Sequence, residues 1–189
     1  MFIFKKKYFL IIASITDLDL NKIKANNKFI IIYRNSNILD KVDDLRKFRN
    51  KCKLKKFKFY VANNIKLCFL LKTDGIYISA HNKTLRTNHL KNYKFDIIGS
   101  AHNILEINLK LKQGCSSIIV SKLFKVDYAP NSNILGIIKF HHLLNFNKNL
   151  IPLGGIKSNN LNKLRNVNSE GIALFSEIKK KPAISNRLF

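Results

Sequence analysis

Eight short apolar runs recur along the chain: Tyr8–Ile12, Phe29–Tyr33, Phe57–Ala62, Gly75–Ser79, Phe95–Gly99, Ser117–Ser121, Leu150–Leu153 and Gly171–Phe175. Most are continuous, not alternating, and rich in Ile, Val and Phe, the pattern of parallel strands buried on both faces. Segments with helical spacing lie between them. Leu39, Val42 and Leu45 recur every three residues, as do Leu161, Leu164 and Val167. After the fifth run, Asn103 is placed to cap a helix and Glu106 to complete a capping box. Ile104, Ile107 and Leu111 then share a face, and Gly114 supplies the stop. Alternation of strand and helix implies a parallel α/β architecture. Eight units favour a closed barrel over an open sheet, so the expected fold is a compact single (β/α)₈ TIM barrel. At 189 residues the chain is near the lower limit for that fold, and residues 1–189 read as one domain.

A hydrophobic content of 46% excludes a disordered polyelectrolyte, because the chain has apolar surface enough to offset ordering entropy. The formal charge of +24 invites a nucleic-acid reading. The lysines, however, are scattered over almost every segment. The densest run, Lys51–Lys58, falls where one element ends and the next begins. A solvated basic surface that steers anionic substrates is therefore expected, and no nucleic acid. Cys52, Cys68 and Cys115 are odd in number and form no C-x-x-C pair, which suits a reducing cytoplasm. Cys68 and Cys115 read as small core residues. Lys5-Lys6-Lys7 before Tyr8–Ile15 resembles a short export signal, but the run is far below a membrane span of roughly 20 residues and makes a good buried strand. No membrane association is expected.

In a barrel the chemistry gathers where strands end. Those positions are Arg34-Asn35-Ser36, Asn63-Asn64, Ser79-Ala-His-Asn82, Ser100-Ala-His-Asn103, Ser121-Lys122, Gly154-Gly155 and Ser176. None carries a carboxylate pair, and neither a nucleophile elbow nor a Walker loop appears, so two-carboxylate hydrolysis is not expected. Small polar groups, amides and cations suit the holding of anionic oxygens. Gly154-Gly155 after the seventh run and Ser176 after the eighth occupy the usual barrel phosphate site, where bare glycine amides point at the anion. The polar stretch Val126–Asn133 should form a long loop over that end. His141-His142 should lie on the outer surface of a helix.

The order and spacing of these segments carry a resemblance. Ile151-Pro-Leu-Gly-Gly-Ile156, then Asn159/Asn160, then Glu170–Ile178 are similar to the C-terminal pattern of the thiamine phosphate synthase and thiazole tautomerase superfamily. Asp96–Asn103, Thr73–Ile78 and Tyr60–Asn64 match further segments in the same order, from about Phe29 to Ile178. The resemblance implies coupling of hydroxymethylpyrimidine pyrophosphate with thiazole phosphate, with release of pyrophosphate and with Mg²⁺ as cofactor. The partners so implied are small phosphorylated thiamine precursors. It places Gly154, Gly155 and the Phe175-Ser176 backbone on the thiazole phosphate, Ser100 on pyrophosphate, Arg34 after the second strand and Asn63 on the pyrimidine. Ser100 and His102 are the implied catalytic pair, His102 matching a proton shuttle of the tautomerase branch. The two Mg²⁺-binding aspartates match Asn64 and Asn82, a weakened metal site because an amide oxygen brings no charge. The strand-two glutamine and lysine are replaced by Ile32 and Ser36, and Asp127 is the nearest other carboxylate. Loss of those groups leaves two alternatives, a tautomerase-like barrel or a catalytically reduced one that binds a phosphorylated precursor.

Overall fold

The computed structural model describes residues 6–23, 27–35, 40–93, 95–129, 131–157, 159–164 and 167–175. Within them, eight strands close a barrel in chain order: β1 Lys7–Ile12, β2 Phe29–Tyr33, β3 Lys58–Ala62, β4 Gly75–Ile78, β5 Asp96–Ala101, β6 Ser117–Ser121, β7 Leu150–Leu153 and β8 Gly171–Leu174. Neighbours are parallel throughout, and β8 returns to β1 with Lys7 opposite Gly171 and Leu10 opposite Leu174. The expected closed barrel is what forms.

Side-chain alternation along each strand divides the apolar residues into two layers. Phe9, Ile11, Ile30, Ile32, Tyr60, Tyr77, Ile98, Ile119, Ile151 and Ala173 fill the barrel interior. The alternate residues, among them Leu10, Phe29, Ile31, Phe59, Val61 and Ile118, face the helices. A strand buried on both sides needs apolar residues at every position, which is why the runs read as continuous. At the N-terminal end the Tyr60 hydroxyl donates to the Asp96 carboxylate at 2.7 Å, and Ser116 bonds the other carboxylate oxygen. Burial, then the nearby Asp96, pushes the Tyr60 phenol up from its ordinary value, so it stays a neutral donor.

Among the described residues four α-helices pack outside: α1 Val42–Leu54, α2 Ile65–Leu71, α3 Ile104–Lys112 and α4 Gly136–Phe146. Residues 85–93 and 161–164 form 3₁₀ turns. Leu39 lies outside the described residues, and the helix expected through Leu161 and Leu164 is a four-residue 3₁₀ turn. Cys52, Cys68 and Cys115 are buried and outside any disulfide. His141 and His142 lie on α4, the first half-buried and the second exposed.

The start of α3 follows the sequence closely. Asn103 Oδ1 accepts the Glu106 N–H at 2.9 Å, while the Glu106 carboxylate accepts from the His102 N–H at 2.8 Å, one residue before the box position. Asn103→Ala is expected to cost about 1 kcal/mol, read as a lower urea midpoint with an unchanged slope. The expected apolar face needs correction. Ile107 is buried, but Ile104 and Leu111 are 51% and 46% exposed, and the second buried residue of the helix is Lys110. The buried seam of the helix belongs to Ile107 and Lys110.

Candidate active site at the barrel mouth

The C-terminal ends of the strands open into a cavity of about 650 Å³. Its floor is the uppermost interior layer: Ile11, Tyr77, Leu153 and Ala173. Ser100 and Ser121 occupy inward positions of β5 and β6 and both line the cavity, Ser121 two residues beyond Ile119, the residue paired with Ser100. The Tyr77 phenol is pushed up from its ordinary value by burial, while a hydrogen bond with Ser100 and the nearby Arg34 act in the other direction. Tyr77, Ser100 and Arg34 thus form one polar cluster. Ser100 is buried and Arg34 is exposed at the rim.

His102 follows β5 and leans across to β6. Its Nδ1 lies 3.2 Å from the Ser121 carbonyl oxygen and 3.0 Å from Ser121 Oγ. A carbonyl oxygen only accepts, so the first contact selects the tautomer with hydrogen on Nδ1 and leaves the Nε2 lone pair as a base. His102 and Ser121 both line the cavity. The position suits proton transfer.

The β6 and β7 loops close the adjoining wall. Leu123 and Phe124 donate backbone N–H groups to Leu153 and Gly154, at 2.8 and 3.0 Å, extending the ladder beyond the strands. Gly154 and Gly155 adopt φ of +101° and +64°. A Cβ on Gly155 would run into the Lys125 carbonyl oxygen and the Phe124 backbone, so the close approach of the two loops requires glycine. Asn160 clips the following turn, donating to the Gly155 carbonyl at 2.7 Å and accepting from the Lys157 N–H at 2.8 Å. Val126, Asp127 and Tyr128 from the β6 loop line the cavity, as expected of that stretch. Lys122 stands over the Tyr128 ring, 5.7 Å from its centre, and Lys157 pairs with Asp127 at 2.8 Å.

A second cavity, of about 740 Å³, is lined by Arg34, Asn63, Asn64 and Ser79. Asn63 takes a left-handed φ of 55° and ties the β3 and β4 loops together. Its Oδ1 accepts from the Ser79 N–H at 3.1 Å and from Asn82 Nδ2 at 3.2 Å, and its Nδ2 donates to Ser79 Oγ at 3.0 Å. Arg34 lines both cavities.

The sequence-selected residues therefore fall at one end of the barrel. Arg34, Ser100, His102, Gly154, Gly155 and Phe175 line the first cavity; Arg34, Asn63 and Asn64 line the second; Asn82 bonds Asn63. Ser176 lies outside the described residues. Tyr77 was missed, although it alternates with the outward Ile76 and Ile78, which marks it as an inward residue. Lys157 was missed as a cavity residue too and carries no local signal, whereas Ser121 was among the strand-end positions but had no role assigned.

The donors available to a divalent metal do not fit Mg²⁺. Asn64 Oδ1 accepts the Leu67 N–H at 2.9 Å as the cap of α2. Asn82 Oδ1 accepts the Thr84 N–H at 3.1 Å. Both amide oxygens already serve the backbone, neither carries charge, and Asp127 is bound by Lys157. Among the described residues no group of three or more His, Cys, Asp and Glu converges.

A closed parallel eight-stranded barrel with its polar cavity at the C-terminal mouth defines a (β/α)₈ barrel of the kind that carries chemistry in its βα loops. More narrowly, the chain belongs to the thiamine monophosphate synthase family, whose model matches residues 19–178. It is 29% identical over 141 residues to the thiamine-phosphate synthase of Prochlorococcus marinus strain AS9601, covering 74% of this chain and 40% of that protein. The corresponding protein of strain MED4 is 27% identical over 146 residues, covering 76% of this chain and 42% of the relative. The chain thus spans about 40% of the length of the curated relatives it matches. Among solved structures, thiamine phosphate pyrophosphorylase from Pyrococcus furiosus is similar in fold, with a TM-score of 0.72 at 13% identity over 97% of this chain and 95% of that one.

Proposed function

We propose that the chain acts in thiamine biosynthesis as a transferase, coupling hydroxymethylpyrimidine pyrophosphate to thiazole phosphate. The observation that carries this reading is the convergence, in one barrel mouth, of the Gly154–Gly155 turn with Arg34, Ser100 and Lys122. In the coupling step the C–O bond to pyrophosphate breaks and its electron pair leaves with pyrophosphate. The thiazole nitrogen lone pair then forms the new C–N bond to the pyrimidine methylene. Gly154, Gly155, Phe175 and Ser176 hold the thiazole phosphate, while Ser100 and the cations Arg34 and Lys122 stabilise the departing pyrophosphate. Tyr77 shares a hydrogen bond with Ser100 and orients it. We read residues 1–189 as a single domain and place it in the cytoplasm, in keeping with its three buried cysteines outside any disulfide. No helix among the described residues is long and apolar enough to cross a membrane.

The test mixes purified protein with both precursors, with Mg²⁺ or with EDTA, and measures thiamine phosphate. Product formation that survives EDTA is expected. Absence of product under both conditions would refute the coupling reading. Asn64→Asp with Asn82→Asp is expected to introduce Mg²⁺ dependence, since aspartate caps a helix as well as asparagine and restores two charges. Unchanged rates with and without Mg²⁺ in that variant would count against the assignment of these positions.

A second reading has its own support. His102, with Nδ1 held by Ser121 and Nε2 left as a base, suits the proton shuttle of a thiazole tautomerase. His102→Gln should abolish tautomerisation of a thiazole carboxylate phosphate and leave coupling nearly unchanged. Calorimetry with thiazole phosphate identifies a barrel that binds without turnover.

A further inference from the structure

α3 buries a lysine in the seam where an amphipathic helix carries an apolar residue. Lys110 is 0% exposed, as is Gln113 one turn on. Lys110 Nζ donates to the Ser79 carbonyl at 2.8 Å, the Asn82 carbonyl at 2.7 Å and Gln113 Oε1 at 2.8 Å. An ammonium has three N–H groups, and all three find acceptors. Gln113 Nε2 donates in turn to the Asn82 carbonyl at 2.9 Å and the Thr84 carbonyl at 2.7 Å. A buried charge is tolerated only where it is fully bonded, and here every bonded acceptor is neutral, so the positive charge is not cancelled by a bonded carboxylate. Burial lowers the affinity of this lysine for its proton. The barrel makes room for the stem: a Cβ on Gly99 of β5 would lie 2.9 Å from Lys110 Cδ and 2.7 Å from Cys115 Sγ.

The gripped carbonyls belong to one turn, residues 79–84, immediately after β4. That turn supplies Ala80 and His81 to the first cavity and Ser79 to the second. In a planar trans peptide the N–H points opposite to the C=O. Anchoring the Ser79 and Asn82 carbonyls on Lys110 therefore turns the Ala80 and Lys83 N–H groups away from the lysine, outward from the seam. The same turn carries Asn82, whose amide oxygen is taken by the Thr84 N–H and brings no charge for a metal. We propose that Lys110, together with Gln113, is a positioning residue that holds the 79–84 turn for binding a pyrophosphate group without a divalent cation. The ammonium behind the turn orders its backbone in place of a metal in front. This inference rests on the coupling reading for the identity of its anion.

Calorimetry with inorganic pyrophosphate in EDTA, on the full chain, tests it. The wild-type protein is expected to bind. Lys110→Met, which keeps the stem and removes the ammonium, is expected to bind pyrophosphate roughly tenfold more weakly. Its affinity for thiazole phosphate, held across the mouth at Gly154–Gly155, should stay within about twofold. In turnover the KM for the pyrimidine pyrophosphate should rise while that for thiazole phosphate holds. Equal pyrophosphate affinity in wild type and variant overturns the proposal, as does binding by the wild type only with Mg²⁺. Equal weakening of both ligands also overturns it, because that is the signature of a merely structural lysine. Should Lys110→Met not fold, Gln113→Leu, which removes one lysine acceptor and two bonds to the turn, is read by the same criteria. A wild-type protein that binds pyrophosphate in EDTA but forms no thiamine phosphate refutes the coupling reading and leaves the titration to decide on Lys110.

Discussion

Gly155→Ala is expected to lower stability by roughly 2–5 kcal/mol, combining about 1–2 for a left-handed non-glycine residue with about 1–3 for overpacking. The residue sits at φ +64°, and an added Cβ meets the carbonyl oxygen of Lys125 and the backbone of Phe124. Those are backbone atoms, so relief requires the β6 and β7 loops to move apart. The Asn160 clip on the Gly155 carbonyl would strain with them. Gly136→Ala is the matched control. It has a similar φ of +72°, yet nothing lies within 4 Å of its Cβ position, so only the conformational cost of about 1–2 kcal/mol applies. Urea unfolding of both variants measures the difference. Equal losses would mean that the loop contact is not close. Thiazole phosphate affinity should fall in Gly155→Ala and hold in Gly136→Ala, because only the first lies in the cavity wall.

Phe140→Ala should cost about 3–5 kcal/mol, the range for removing a buried aromatic ring. Phe140 is fully buried and, with Leu144, forms the buried face of α4. Since whole domains are stable by only about 5–15 kcal/mol, that is a large share. The β6 loop is anchored to the same region, with the Leu135 and Gly136 N–H groups donating to Lys122 and Leu123 at 2.8 and 3.0 Å. Faster amide exchange is therefore expected to spread from α4 to residues 122–128. Ile138 on the same helix is 76% exposed, and Ile138→Ala should stay within about 0.5 kcal/mol. A loss at Ile138 as large as at Phe140 would contradict the packing of α4.

Most of the barrel was legible because burial on both faces leaves a mark that depends on local sequence. The eight runs fall within a few residues of the eight strands, and Asn103 caps α3 as its spacing implied. The glycine turn after β7 was legible too, since a left-handed backbone selects glycine regardless of its surroundings. Lys110 was not. Its neighbours in the chain are ordinary helix residues, and its acceptors Ser79 and Asn82 are some 30 residues away, contributing carbonyls that any residue would carry. Nor could the spacing distinguish Asn64 and Asn82 as metal ligands from the roles they take, capping α2 and closing a turn, because an amide oxygen serves either. Asp127 and Lys157 belong to loops after different strands and pair only where the loops meet.

The chain's own pattern of apolar runs and helix signals was sufficient for eight buried parallel strands and the end at which the polar residues gather, and it favoured a closed barrel without settling it. These follow from period, propensity and burial, which act within a few residues of one another. Closure of the β6 loop on Gly155, the hold of Ser121 on His102 and the burial of Lys110 behind the 79–84 turn were settled by tertiary structure. Each joins groups from different parts of the chain, and its energy depends on distance and desolvation that arise only once the barrel has closed.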